Sequence, residues 1–297
     1  MRKSKMRQSK GDMIFNIVNI IVMALLCLVI IYPLYYVLLA SFTDPDIVST
    51  GKPLFWIEKL YVKGYETTLA YTPLWTSYKN TIIYTVVGTI VSLIATVPAA
   101  YALSRKDMAG RRGIMFAFTF TMFFGGGIIP LYLTIRSLGI YNTIWAMVLP
   151  VGVSVYNLIV CRSFFESGLP EELLEAAKID GCDDFGFFFK IAIPLSTTII
   201  AVMCLFYATA MWNQFFNAIM YLQDDNKMPL QVVLRNLVLM NQSSLMGTSG
   251  DAMIARQKLA QQLKYCVVAL SAAPLLMAYP FLQKYFTKGV TLGAVKG

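Results

Sequence analysis

The sequence predicts an all-α, polytopic membrane protein with six spanning helices. Three observations carry that expectation. Hydrophobic residues make up 57% of the 297 residues and charged residues 14%, against about 25% charged in an ordinary soluble domain. Six apolar runs are each long enough to cross a hydrocarbon core of about 30 Å. None of the six contains Asp, Glu, Lys or Arg, and the charges fall between them. A chain of this composition is neither disordered nor a typical soluble enzyme.

The runs are Met13 to Ala40, Asn80 to Leu103, Ile114 to Leu133, Thr143 to Cys161, Ile191 to Met211 and Tyr265 to Leu282. Each is expected to be helical, because a segment in lipid must satisfy its backbone internally. The first run is too long for a signal-peptide core and lacks a small-residue cleavage site after it. Arg2, Lys3, Lys5, Arg7 and Lys10 precede it, and Arg105, Lys106, Arg111 and Arg112 fill the short second connection. The short third connection carries only Arg136. Basic residues favour the cytoplasmic side. That rule places the N-terminus, the second connection, the segment Arg162 to Lys190 and the C-terminus inside. The longer segments Ser41 to Lys79 and Trp212 to Lys264 then face outward. Within the latter, Pro229 to Met240 reads as an amphipathic element and Asn241 to Gly250 as a flexible loop.

The net charge of +9 is spread between apolar runs rather than gathered on one face, which argues against nucleic-acid binding. Cys27, Cys161, Cys182, Cys204 and Cys266 show no CxxC spacing and read as small buried hydrophobes. The chain has no histidine, so the commonest general base and metal ligand is missing. It also has no GxxxxGK[ST] phosphate loop, so ATP hydrolysis is not expected of this chain. No metal, cofactor or catalytic residue is expected either. An ion-coupled transporter usually places acidic residues or histidines within its spans. Their absence here means that a transporter of this sequence must take its energy from a partner.

The fourth connection is the most informative stretch. It reads SGLPEELLEAAKIDGCDDFGFFFKIAIP from Ser167 to Pro194. Pro170 suits a first helical position, and Glu171 and Glu172 complement the positive end of a helix. That helix is expected to run to about Asp180. Gly181 then supplies a left-handed turn, and Asp183 caps a second short helix. Leu173, Ala176 and Ala177 are expected to share one face, where the alanines would let another backbone approach. Such an elbow fits docking into a groove of a soluble partner. A helix merely lying on the membrane would carry more Lys and Arg on its polar face.

This stretch resembles the EAA loop of ABC importer permeases. Their pattern is Glu-Ala-Ala, three residues, Gly, nine residues, then Ile-x-Leu-Pro. The chain offers Glu175, Ala176, Ala177, Gly181, Ile191 and Pro194 at those positions, with Ile193 in place of Leu. The end, QKYFTKGVTLGAVKG from Gln283, is similar to the tail of maltose-type carbohydrate permeases. GGGIIPLYLTIRSLGIYNTIWAMVLP, Gly125 to Pro150, is similar to the branch that imports oligosaccharides from complex polysaccharides. The resemblance implies a type I ABC importer permease fold in the cytoplasmic membrane of a bacterium. Its parts would be a basic N-terminus at 1–12, a six-helix domain at 13–290 with coupling loop 162–190, and a tail at 291–297. It implies that the loop docks on a separate ATPase dimer, which would bind ATP and Mg. The tail residues Gly293, Ala294, Val295, Lys296 and Gly297 would reach that dimer. The other partners implied are a second, different permease, an extracytoplasmic sugar-binding protein, the oligosaccharide and membrane lipid.

An uncharged sugar path needs hydrogen-bonding and aromatic side chains. Candidates are Tyr156, Asn157, Tyr207 and Asn213, with Thr119, Thr121, Trp212 and Asn217 as further polar or aromatic positions. Each has a structural reading beside it. Asn157 suits an interhelical hydrogen bond, Trp212 suits an interface anchor, and Gly125 to Gly127 suit close packing or a local break before any substrate contact. An importer of peptides, polyamines or anions is the alternative within the same fold, and a membrane scaffold without transport is the alternative outside it.

Overall fold

The computed structural model describes residues 10–243 and 251–293. Among them the only strand-like feature is an antiparallel bridge between Thr43 and Leu60; the rest is helix and connection. The chain forms two compact units. One combines the chain up to Ala70 with Leu237–Leu270, and the other combines Tyr71–Asn236 with the chain from Ser271 onward.

The first unit begins with α1 (Lys10–Phe42), which is apolar on every side and buries only Ala40 and Ser41. A helix without a polar face belongs in lipid or a core. Asp44 ends it by accepting from the Asp46 N–H at 3.1 Å and opens α2 (Pro45–Ser49). The Lys59 ammonium, 2.7 Å away, holds the Asp44 carboxyl below the usual carboxylate range. α3 (Lys63–Ala70) follows. Gln262 staples this unit: its Oε1 accepts from the Gly64 N–H at 2.7 Å and its Nε2 donates to the Ser41 carbonyl at 3.0 Å. A Cβ at Gly64 would meet that Oε1 at 2.7 Å and Cys266 Sγ at 2.9 Å, so a side chain there would push Gln262 out of this hydrogen bond.

The second unit is built on α4 (Thr72–Ser104), a 33-residue helix. After it come α5 (Arg111–Phe123), α6 (Ile128–Ser137), α7 (Ile144–Val148), α8 (Val155–Gly168), α9 (Glu171–Ile179), α10 (Asp184–Phe187), α11 (Ile193–Leu195), α12 (Thr197–Trp212) and α13 (Phe216–Tyr221); α14 (Leu230–Ser243) and α15 (Asp251–Gly293) each run through both units. α14 is amphipathic, as its sequence predicts, and buries Leu230, Val233, Leu234 and Leu237.

Three helices are long and apolar enough to cross a membrane unbroken, lying in α1, α4 and the Arg256–Met277 part of α15. The other three expected spans are bent pairs. α5 and α6 meet at 116°, the α7 and α8 segments at 53°, and the α10–α11 segment meets α12 at 79°. Counting each bent pair as one span gives the six expected, and each break has a local cause. Gly127 sits at φ +85° with open space around its Cβ position, so the glycine triplet makes a break rather than a close contact. Pro150 and Gly152 interrupt the second pair. In the third, Phe188–Ala192 forms a π-turn and Pro194 lacks an N–H to continue the ladder.

The core of this unit joins α4, α8, α12 and the elbow through Ala100, Leu158, Cys161, Phe165, Phe187, Ala192 and Met203. Cys161 and Cys266 are buried as expected. Cys27 is exposed on α1, because that helix has almost nothing of its own chain to pack against.

Candidate functional site

The elbow is assembled by backbone hydrogen bonds that its sequence specifies. Pro170 stands at the N-cap of α9, one position earlier than expected, and Glu171 and Glu172 occupy the first turn. At the other end, Gly181 adopts φ +79°. Its N–H donates to the Lys178 carbonyl at 3.0 Å, and the Cys182 N–H donates to the Ala177 carbonyl at 2.9 Å. This pair of bonds is the Schellman closure, which suits glycine at the left-handed position. Asp183 then caps α10 by accepting from the Gly186 N–H at 3.0 Å.

The two sides of α9 have separate tasks. Ala177 is 7% exposed and packs with half-buried Leu173 and Leu174 on the core. Glu175, Ala176 and Ile179 face outward, with Ile179 86% exposed. The expected face of Leu173, Ala176 and Ala177 is therefore divided. Positions four apart share a side, whereas Ala176 is rotated by about 100° from Ala177. Beyond the turn, Phe185 is 77% exposed and Gly181 is open on its Cβ side. Ile191 is half-buried against the core and Pro194 is exposed at the bend.

The short connection between α4 and α5 clamps the elbow. Arg105 pairs with Asp107 at 2.7 Å, Lys106 with Glu171 at 2.6 Å and Arg111 with Glu166 at 3.3 Å; Arg162 also pairs with Glu166. Lys178 lies between Asp107 at 3.9 Å and Asp184 at 4.0 Å. Arg162 Nε donates to the Leu103 carbonyl at 2.9 Å. The hydrogen bond from Arg105 holds the Asp107 carboxyl below its usual range, and the Glu171 carboxylate raises the Lys106 ammonium. Arg105, Lys106, Asp107, Glu166, Glu171 and Lys178, with Tyr101 and Phe187, line a cleft of about 500 Å³. The sequence reading used the basic residues only for orientation. The signal it passed over was Asp107, an acid set among Arg105, Lys106, Arg111 and Arg112.

The expected path residues do not form one group. Tyr207 is 2% exposed. Its hydroxyl lies 2.6 Å from Thr96 Oγ1 and accepts from the Ser154 N–H at 3.2 Å. Ser154 in turn caps α8, accepting from the Asn157 N–H at 3.4 Å. Asn157 is buried, while Tyr156 is exposed. Asn213 is exposed and bonds its own helix, Nδ2 to the Thr209 carbonyl at 2.9 Å. Thr119 and Thr121 also bond carbonyls of their own helix. Trp212, expected as an interface anchor, is instead buried and donates to the Ser271 carbonyl at 3.1 Å. One feature escaped the sequence reading. Thr81, Thr85, Thr89, Ser92 and Thr96 form a row of hydroxyls along α4, readable from their spacing of three and four. Thr81 Oγ1 accepts from the Leu230 N–H at 2.8 Å, whereas the Thr85, Thr89 and Ser92 hydroxyls are buried without a partner among the described residues.

Gly293 ends α15, and Ala294, Val295, Lys296 and Gly297 lie outside the described residues. Among the described residues, no three His, Cys, Asp or Glu are grouped to hold a metal ion.

Residues 68–292 match the family model of the binding-protein-dependent transport system inner membrane component. The chain belongs to this family. Two Bacillus subtilis relatives are each 38% identical. They are Protein LplC, over 98% of both chains, and the polygalacturonan/rhamnogalacturonan transport system permease protein YtcP, over 94% of this chain and 96% of that one. Among solved structures, a chain of a bacterial ABC transporter that imports the acidic polysaccharide alginate superposes with a TM-score of 0.79. Its identity is 31%, and the match covers 95% of this chain and 100% of that one. The fold is thus that of an ABC importer permease, an inner membrane component that works in transport and is not itself an enzyme. A permease of this kind works with an ATPase and a binding protein.

Proposed function

We propose that this permease carries oligosaccharides released from complex polysaccharides across the cytoplasmic membrane by alternating access, driven by an ATPase dimer at the elbow. The observation that carries this reading is the elbow itself. Its inner side is anchored in the core through Ala177, and its outer side presents Ile179, Ala176, Phe185 and the open backbone of Gly181. An apolar, backbone-open surface stiffened from below fits a groove and transmits a push. Glu175 supplies a polar contact at the groove's rim, and the tail from Gly293 onward reaches the same dimer. The relatives' names support a saccharide as cargo.

In this mechanism ATP closes the ATPase dimer on the cytoplasmic side, where both termini also lie. The elbows of this chain and a second, different permease move together. The α4, α8 and α12 bundle tilts as a unit and opens the path outward, where an external binding protein delivers the sugar. Hydrolysis resets the inward state, with ATP and Mg held by the partner. Asn157, Tyr156 and Asn213 remain the candidate polar groups along the path, whereas the Tyr207 hydroxyl is taken up by Thr96 and Ser154.

The test is co-purification. Ile179→Glu should reduce recovery of the ATPase with the permease by about tenfold, as a charge forced into an apolar groove does, while thermal stability of the permease stays unchanged. Recovery equal to wild type would overturn the docking role.

A further inference from the structure

We propose that Arg136 and the tyrosines around it form a subsite for the carboxylate of an acidic, uronate-containing oligosaccharide. The inference rests on the oligosaccharide reading above and names the substrate class within it. The guanidinium carbon of Arg136 lies 5.7 Å from the Tyr132 ring centre and 5.3 Å from that of Tyr141. Both distances are within cation–π range. Tyr132 and Tyr141 meet edge to face at 5.7 Å, and Tyr132 stacks on the buried Tyr221 at 6.4 Å. Arg136 has no ion-pair partner among the described residues.

The platform is built and held. Asn142 adopts φ +57°, an uncommon conformation that asparagine tolerates. Its N–H donates to the Tyr221 carbonyl at 2.9 Å, and its Oδ1 accepts from the N–H groups of Gln223 and Asp224 at 3.1 and 3.3 Å. Ile135, the residue before Arg136, is buried with Ala146 and Tyr221. The neighbouring charges are Lys227, which donates to the Asn142 carbonyl at 3.0 Å, and Asp224, 3.7 Å from Lys227. Lys227 and Asp224 pair with each other, and Arg136 is in no ion pair among the described residues.

The chemistry follows from the guanidinium. Two rings gathered on one side of the guanidinium restrain it and leave N–H groups on the other side as a planar fork matched to a carboxylate. Tyrosine rings also offer apolar faces and hydroxyls, the pairing that a sugar ring needs. In the orientation proposed above, this fork stands at the outer end of the third span, where an arriving sugar is received. An acidic saccharide therefore finds a charge partner there, and a neutral one finds only the rings.

The test uses the whole importer, with both permeases, the ATPase and the binding protein, in proteoliposomes of phosphatidylcholine with and without phosphatidylglycerol. The probes are trigalacturonate and galactotriose. Wild type should import trigalacturonate. R136Q should slow that import by roughly tenfold to hundredfold, the range for losing a hydrogen-bonded charge partner, and spare any galactotriose import. R136K, which keeps the charge and loses the fork, should give an intermediate rate and guards against a folding defect in R136Q. Import of neither sugar by wild type would remove the oligosaccharide reading, and this subsite with it. Import of galactotriose alone would overturn the acidic subsite and leave that reading standing. The subsite is also overturned if R136Q matches wild type, if R136Q loses both sugars equally, or if its defect appears only with phosphatidylglycerol present, which would assign the arginine to a lipid headgroup.

Discussion

Replacing Gly181 separates two demands that the elbow makes on one residue. The first is conformational. At φ +79° an alanine is strained by about 1–2 kcal/mol, while asparagine adopts this region more readily and a β-branched residue is a marked outlier there. A loss of 1–2 kcal/mol changes the ratio of formed to frayed turn by a factor of about 5–30. The second demand is spatial. None of the described residues lies within 4 Å of a Cβ placed at Gly181, so no internal clash adds to the strain, and a side chain there points where the ATPase is proposed to sit. ATP-driven uptake in proteoliposomes should therefore fall in the order Gly, Asn, Ala, Val if the backbone alone matters. If the docking groove also excludes bulk, Gly181→Asn should fall below Gly181→Ala, despite its easier backbone. Either order fits a working elbow. Wild-type uptake by Gly181→Val, with normal membrane levels, would refute the argument that this turn transmits the push.

Four further outcomes follow from the same geometry. Asp107→Asn should lower thermal stability by under about 1 kcal/mol, since its ion pairs are half-exposed, yet raise the ATP hydrolysed per sugar imported, measured side by side. Ala177→Leu should destabilise the permease by about 1–3 kcal/mol through overpacking of a filled core, whereas Ala176→Leu should leave the melting temperature unchanged and act only on ATPase recovery. Tyr207→Phe should reduce stability by about 0.6–1.7 kcal/mol, the scale of a hydrogen bond between membrane helices, without changing the apparent KM for sugar, because its hydroxyl is already engaged by Thr96 and Ser154. The pH dependence of coupling follows from Asp107, whose carboxyl is depressed below its ordinary value. A depressed carboxylate contributes its stabilisation above its unfolded pKa, about 4, and loses it as pH falls through the lower folded value. Uptake per ATP should then be flat across neutral pH, and a decline centred near pH 6 would exclude Asp107 as the controlling group.

What was legible in the sequence was whatever depends on local chemistry. The Gly181 turn, the Asp183 cap and the amphipathic α14 follow from residue type and spacing, and the structure forms each of them. The breaks in three spans were less legible, because apolar runs look alike whether the helix is straight or folded back; only Gly125 to Gly127 announced theirs. The clamp was hidden because ion pairs between the α4–α5 connection and α9 join residues some 65 positions apart, as with Lys106 and Glu171. Trp212 and Ala176 stand in surroundings their sequence positions do not reveal, for a related reason. A span end or a helix face has two sides, and tertiary packing decides which one is covered.

α1 has a consequence of its own. From Lys10 through Ile31 every residue is exposed, and the family match begins only at residue 68. Over that stretch the rod is held by what surrounds the molecule, and from Tyr32 onward α1 packs on its own chain. Its sequence is therefore free to drift wherever greasiness and length are kept, and a foreign apolar helix grafted in its stead should serve as well.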